Sequence, residues 1–200
     1  MEAMRLNNML IQNAATNSPK VNALMALMCF HAPRFNARQI NNEDPSGLIL
    51  YDKQDEALWD QGLINKGMYF LNRSAQGDEI SSYHIEARIA YWHCIKEDTE
   101  EKWKEILALY DQLLLVNYSQ SVVLNRAFAL YKAEGRQAAL VETEKLKLKN
   151  NHFYFVLLGE LYKNIDNEKA RFNFGKACTL AKTQTEKQDI QAKIDSIRLS

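Results

Sequence analysis

Proline is scarce in this chain and unevenly placed: Pro19, Pro33 and Pro45 all fall in the first quarter, and none follows Pro45. Proline interrupts helices, so its absence beyond residue 45 points to an irregular amino-terminal part and a long all-helical remainder. Cysteine is also rare. Cys29, Cys94 and Cys178 are odd in number and far apart, which argues against a disulfide framework and for reduced thiols in a cytoplasm. No charge of one sign dominates, because 25 basic side chains balance 25 acidic ones. Without a basic block the chain lacks the footprint that phosphate binding requires, so direct DNA binding is disfavoured. No uncharged run approaches the roughly 18 residues of a membrane span, and MEAMRLNNMLIQ has no apolar signal core. These absences together predict a cytoplasmic protein with no membrane partner.

At 46% hydrophobic, 200 residues suffice for one sizeable domain or two small ones. The clearest pattern is NHFYFVLLGELYKNIDNEKARFNFGKACTLA, from Asn151 to Ala181. Phe155, Leu158, Gly159 and Tyr162 fall at i, i+3, i+4 and i+7 and share one helical face, with glycine where two backbones must approach. A polar turn at Asn164–Asn167 follows. Ala170, Phe174, Ala177 and Ala181 then make a second stripe that alternates small and large groups and interlocks with the first.

This pair resembles one tetratricopeptide repeat, whose pattern is aromatic, Leu-Gly, Tyr, then Ala, aromatic, Ala. The turn is one residue shorter than the usual unit of about 34 needs, and no proline closes the second helix. Moving the template back 31 residues lands on Leu124, Ala127, Phe128 and Tyr131, then Ala139, Thr143 and Leu146, with the small and large members of the pair exchanged. A second move survives only in Ala108, Gln112 and Leu115, read as an eroded repeat. The predicted fold class is all-α: stacked antiparallel helix pairs forming a right-handed, tetratricopeptide-like solenoid, about ten helices in total. Residues 1–98 form an amino-terminal helical part and residues 99–200 the repeats with a capping helix, the two packed together.

Taken in order, Glu2–Ala14 is expected to dock by a face holding Met4, Leu6, Met9 and Leu10. Ser18 caps a central helix that opens on Pro19. Residues 34–51 break the rhythm, and Pro45-Ser46-Gly47 is a turn signal that would let Leu48–Tyr51 pair with residues 37–40 in a small hairpin. A helix begins at Asp52, with acids in its first turn. Further helices are read over 81–95, 99–116 and 185–199, the last with Ile190, Ile194 and Ile197 inside.

Residues 2–131 also carry, in order, EAMRL, NALMAL, APRFNAR, GLILYDKQDEALWDQGLI, SYHIEARIAYWHC, ILALYDQLLLV and SVVLNRAFAL. The series resembles the carboxyl-terminal extension of a group of bacterial extracytoplasmic-function RNA polymerase sigma factors, which carry a tetratricopeptide-like domain after the two domains that bind DNA and polymerase. Its most specific pieces are Asp52, Gln54 and Asp55 with Trp59 and Asp60, the run Tyr83–Ala90, and the run Ser121–Arg126. Two places depart from the family, which has Arg at the position of Glu56 and Gly-Pro-Tyr-Gln-Leu-Gln where this chain has Ser81 to Glu86. Nothing in the chain resembles the promoter-reading sigma domains, so the resemblance implies that the DNA-binding half lies outside these 200 residues. It implies a regulatory domain that contacts its own sigma domains or the polymerase core; promoter DNA is reached only through the missing domains. The alternative is a free-standing adaptor that holds a peptide on its repeats.

No catalytic set can be assembled. His84 and His93-Cys94 do not project to one side of a helix and lack further ligands, so no metal is predicted, and no nucleotide fingerprint suggests a cofactor. Asp52, Asp55, Glu56 and Asp60 are read as helix-start acids, with Asp52 and Asp55 turning back to Arg34 or Arg38. Tyr83, Tyr91, Trp92, Trp103 and Tyr110 are read as core. The residues singled out as structural or interacting are Arg34, Arg38, Asp52, Gln54, Asp55, Trp59, Tyr83, His84, Asn125 and Arg126, with Phe155, Leu158, Gly159, Tyr162, Ala170, Phe174 and Ala177 as repeat packing.

Overall fold

Ser18 accepts a hydrogen bond from the Val21 N–H, and Pro19, whose missing N–H costs nothing in a first turn, starts the helix behind it. Such local signals recur along the computed structural model, which describes residues 2–34, 56–77 and 79–197. Among these there are ten α-helices and no strand. They are α1 (Glu2–Gln12), α2 (Pro19–His31), α3 (Gln61–Ser74), α4 (Ser82–Trp92), α5 (Glu100–Val116), α6 (Gln120–Glu134), α7 (Arg136–Leu146), α8 (His152–Tyr162), α9 (Asn167–Leu180) and α10 (Gln184–Asp195). Two compact units emerge. One is Met1–Asp98 with Ala108–Asn117, the other Thr99–Leu107 with Tyr118–Ser200, so α5 lends its start to the second and its end to the first. The hairpin expected over residues 37–51 lies outside the described residues.

In the first unit α2 is central, as its apolar run on several sides requires, and it packs on α1, α3 and α4. Met25, Ala26, Cys29 and Phe30 of α2 meet Phe70 of α3 and Ala87 and Ala90 of α4 in one buried cluster. Burial pushes the Cys29 thiol up to about 11, which keeps it protonated and unreactive. Phe30 sits over Gly67 of α3: a Cβ there would come within 2.6 Å of the ring. α1 docks by a different face from the expected one. Met4 and Ile11 reach the cluster and buried Asn7 donates to the Val21 carbonyl at 3.0 Å, whereas Leu6, Met9 and Leu10 are exposed.

The helix expected from Asp52 begins instead at Gln61. Asp60 is its N-cap, accepting from the Leu63 N–H at 3.0 Å, and Glu56–Leu58 form a separate 3-10 turn. The Asp60 N–H donates to the Pro33 carbonyl and so holds the chain extended at the cap.

The second unit is built from antiparallel pairs, α6 with α7 and α8 with α9, and α10 packs on α9. Leu158, Gly159, Tyr162, Ala170, Phe174, Ala177 and Ala181 are all buried, and Phe155 is half-buried. Phe174 is the large member of the lock: a Cβ on Gly159 would lie 2.6 Å from its ring. The exchanged pair expected in α6 is not realised. Ala127 is buried, but Phe128 is 43% exposed, its ring meeting Trp103 edge-on. Nor do Ala108, Gln112 and Leu115 pack as an eroded repeat, since all three are exposed; α5 buries Trp103, Ile106, Leu109, Tyr110 and Leu113.

Acids cap the last two helices. Asp166 accepts from the Lys169 N–H at 3.0 Å, and that bond holds its carboxyl below the usual range, with the Lys169 charge adding. Glu186 accepts from Thr183 N–H at 2.9 Å and Lys182 N–H at 3.0 Å, with the same effect. A depressed folded value means that the stabilisation is complete above the ordinary carboxylate range and is lost as pH falls through the folded values. Acidification from about pH 5 to about pH 2 is therefore expected to loosen α9 and α10. An Asp166→Asn, Glu186→Gln double variant, which keeps both caps but cannot titrate there, should show a flatter helical circular dichroism profile over that range.

Candidate functional site

An open groove of about 600 Å³ lies in the second unit between α6 and α8. Each wall follows from helical spacing. On α6, Ser121, Leu124, Asn125, Phe128 and Tyr131 advance by threes and fours along one stripe; on α8, Phe153, Val156, Leu157 and Glu160 do the same. Phe153 is 59% exposed, so both phenylalanines of the groove face solvent. Phe128 meets Trp103 edge-on at 5.6 Å between ring centroids and Tyr131 at 6.2 Å, which fixes its orientation.

The two ends differ. At one, Asn151 caps α8 through Phe153 N–H and donates to Gln120 Oε1 at 3.0 Å, tying the two helix starts together. At the other, Arg136 opens α7 and reaches across to the carboxyl end of α8. Its Nη1 donates to the carbonyls of Glu160, at 3.1 Å, and Lys163, two acceptors that helix geometry leaves unpaired. Its guanidinium also lies 5.6 Å from the centre of the Tyr131 ring, and Nη2 donates to the Tyr131 hydroxyl at 3.4 Å. Lys193 of α10 completes this end with an ion pair to Glu160 at 2.5 Å. Glu160 thus holds both cations, Arg136 through its carbonyl and Lys193 through its carboxylate.

Behind the groove wall, the Tyr162 hydroxyl donates to the Glu144 carboxylate of α7, which pushes the phenol up to about 12. Tyr162 therefore stays neutral and acts as a strut between α7 and α8.

Of the residues singled out from sequence, Asn125 alone joins the groove lining. Neighbouring Arg126 points elsewhere, close enough to Glu142 of α7 to help Lys145, the larger cause, hold that carboxyl down. Trp59 is buried beside the Asp60 cap. Lys20 Nζ lies 5.9 Å above the Tyr83 ring. Arg38, Asp52, Gln54 and Asp55, and the Arg34 side chain, lie outside the described residues. Among the described residues no three His, Cys, Asp or Glu side chains come together to hold a metal, and no helix is long and apolar enough to cross a membrane. The groove itself escaped the sequence reading: the exposed Phe128 and Phe153, at unrelated places in their repeats, were its only signal.

His84 has a definite task. Ser81 N–H donates to its Nδ1 at 3.1 Å in a capping box at the start of α4, and Nε2 lies 3.2 Å from the Ser74 carbonyl at the end of α3. A carbonyl only accepts, so Nε2 carries the hydrogen and Nδ1 the lone pair. Glutamine is a usual residue at this third helical position, and His84 meets the same requirement with a ring nitrogen. His84→Gln is expected to leave thermal stability within about 0.5 kcal/mol, whereas His84→Ala should cost about 1–2 kcal/mol by removing both contacts.

The profile of a family of unknown function, DUF6596, matches residues 1–75. An uncharacterized protein of Rhizobium meliloti (strain 1021) is 32% identical over 200 residues, an alignment that covers 98% of this chain and 46% of that protein. The chain therefore spans about half the length of the relative. No solved structure matches it.

Proposed function

We propose that this chain is the regulatory, protein-interacting extension of a bacterial extracytoplasmic-function sigma factor, working in the cytoplasm without chemistry of its own. The observation that carries the reading is the ordered series of sigma-extension phrases over residues 2–131, most specific at Tyr83–Ala90 and Ser121–Arg126. The length of the relative supports it: a match over nearly all of this chain occupies less than half of that protein, as an extension attached to further domains would. The helix pairs offer a rigid scaffold with an open groove, suited to contact with the sigma domains or with polymerase. Regulation then arises from unequal contact with active and inactive arrangements of that machinery. The test is transcription from the cognate promoter by the full-length protein with and without this segment. A change in output of several-fold is expected, and unchanged output would sink the reading.

A free-standing adaptor remains the second reading, favoured by the groove between α6 and α8. A separate gene product beginning at Met1, with no sigma domains ahead of it, would support that reading.

A further inference from the structure

We propose that the groove between α6 and α8 takes a polypeptide segment that is apolar in its middle and acidic at one end. An apolar side chain enters between Phe128 and Phe153, and a carboxylate meets Arg136 and Lys193. This rests on the reading of the chain as a protein-interaction domain and names the chemistry of the partner.

Charge decides the polarity. Arg136 and Lys193 bring two positive charges to one end, and Glu160 returns a single negative one. Arg136 has five N–H donors and spends three bonds, on Glu160, Lys163 and Tyr131; the Lys193 ammonium has three donors and gives one to Glu160. Both cations therefore keep donor capacity for an incoming carboxylate, while their existing bonds hold them in place, so little side-chain entropy is lost on binding. The opposite end carries only neutral Ser121, Asn125 and Asn151. The Asn125 carboxamide offers a donor and an acceptor to a peptide backbone, which lets the segment lie along the groove without stranding polar groups.

Length decides the kind of occupant. From Ser121 to Tyr131 the α6 wall runs ten residues, about 15 Å at the helical rise. A small aromatic carboxylate would fill one end of it; a segment of three helical turns, or a shorter extended one, spans it.

The experiment pans a random twelve-residue peptide display library against the 200-residue chain and measures the enriched peptides by fluorescence anisotropy. Enriched peptides should pair Phe, Trp or Leu with Asp or Glu. Phe153→Ser should weaken them about tenfold, and Lys193→Glu should weaken them about tenfold while hardly affecting the same peptide with Gln in place of its acid. Phe153 is exposed and Lys193 half-buried, and circular dichroism would verify that each variant keeps its helices. No enrichment, enrichment without acids, or binding indifferent to both substitutions overturns the proposal. So does 4-phenylbutanoate binding as tightly as the peptides, which would make the groove a small-molecule site. Transcription that responds to deletion while the groove binds nothing removes only this proposal; peptide binding beside unchanged transcription removes only the sigma-factor reading.

Discussion

Phe174→Ala is expected to cost the second unit about 3–5 kcal/mol, the loss usual when a fully buried phenylalanine is truncated and its cavity cannot collapse. Collapse is blocked here because the ring rests on Gly159, which has no side chain to move inward. Gly159→Ala separates this packing from helix propensity. Alanine gains about 1 kcal/mol as a helix former, yet its methyl would enter a space where the ring stands 2.6 Å away, an overpacking worth about 1–3 kcal/mol. A net loss is expected in the native background. In the Phe174→Ala background the same change should be neutral or stabilising, because the methyl then enters an empty space. Urea titration of the four proteins reads the coupling directly, and additivity of the two changes would mean that ring and glycine do not lock together.

Phe30→Ala should cost the first unit about as much, ~3–5 kcal/mol. Phe30 is fully buried over Gly67, its ring lies 5.6 Å from that of Tyr91, and its carbonyl accepts from the Cys94 thiol at 3.4 Å. The carbonyl survives the substitution, so the loss reports the ring alone. Thermal unfolding followed by circular dichroism should show it, and a loss below about 1 kcal/mol would contradict the packing described.

The two locks were unequally legible. Gly159 and Phe174 lie on consecutive helices joined by a short turn, so their periodic stripes could be matched by eye. Gly67 and Phe30 make the same contact, but residues 34–51 break the rhythm between them and no spacing announces it. Periodicity exposed which side of α8 and α9 is inward; for α1 the loosely apolar pattern let Leu6, Met9 and Leu10 suggest the wrong face, and the anchor was a polar group, Asn7. The start of α3 misled because Asp52, Asp55, Glu56 and Asp60 are equivalent as letters, and only backbone geometry marks Asp60 as the cap. His84 was hidden for a chemical reason, histidine being an unusual acceptor at that position. Of the groove, Asn125 alone was foreseen: Lys193 and Arg136 come together from distant helices, and no one-dimensional pattern records that.

Arg136 has a further consequence for how motion would pass through the second unit. One side chain grips the last carbonyls of α8, stacks on a tyrosine of α6 and itself belongs to α7, so three rods share a single fastener at the rim of the groove. Anything that tugs on that guanidinium pulls on all three at once, and occupancy at the rim becomes a mechanical load on the whole stack.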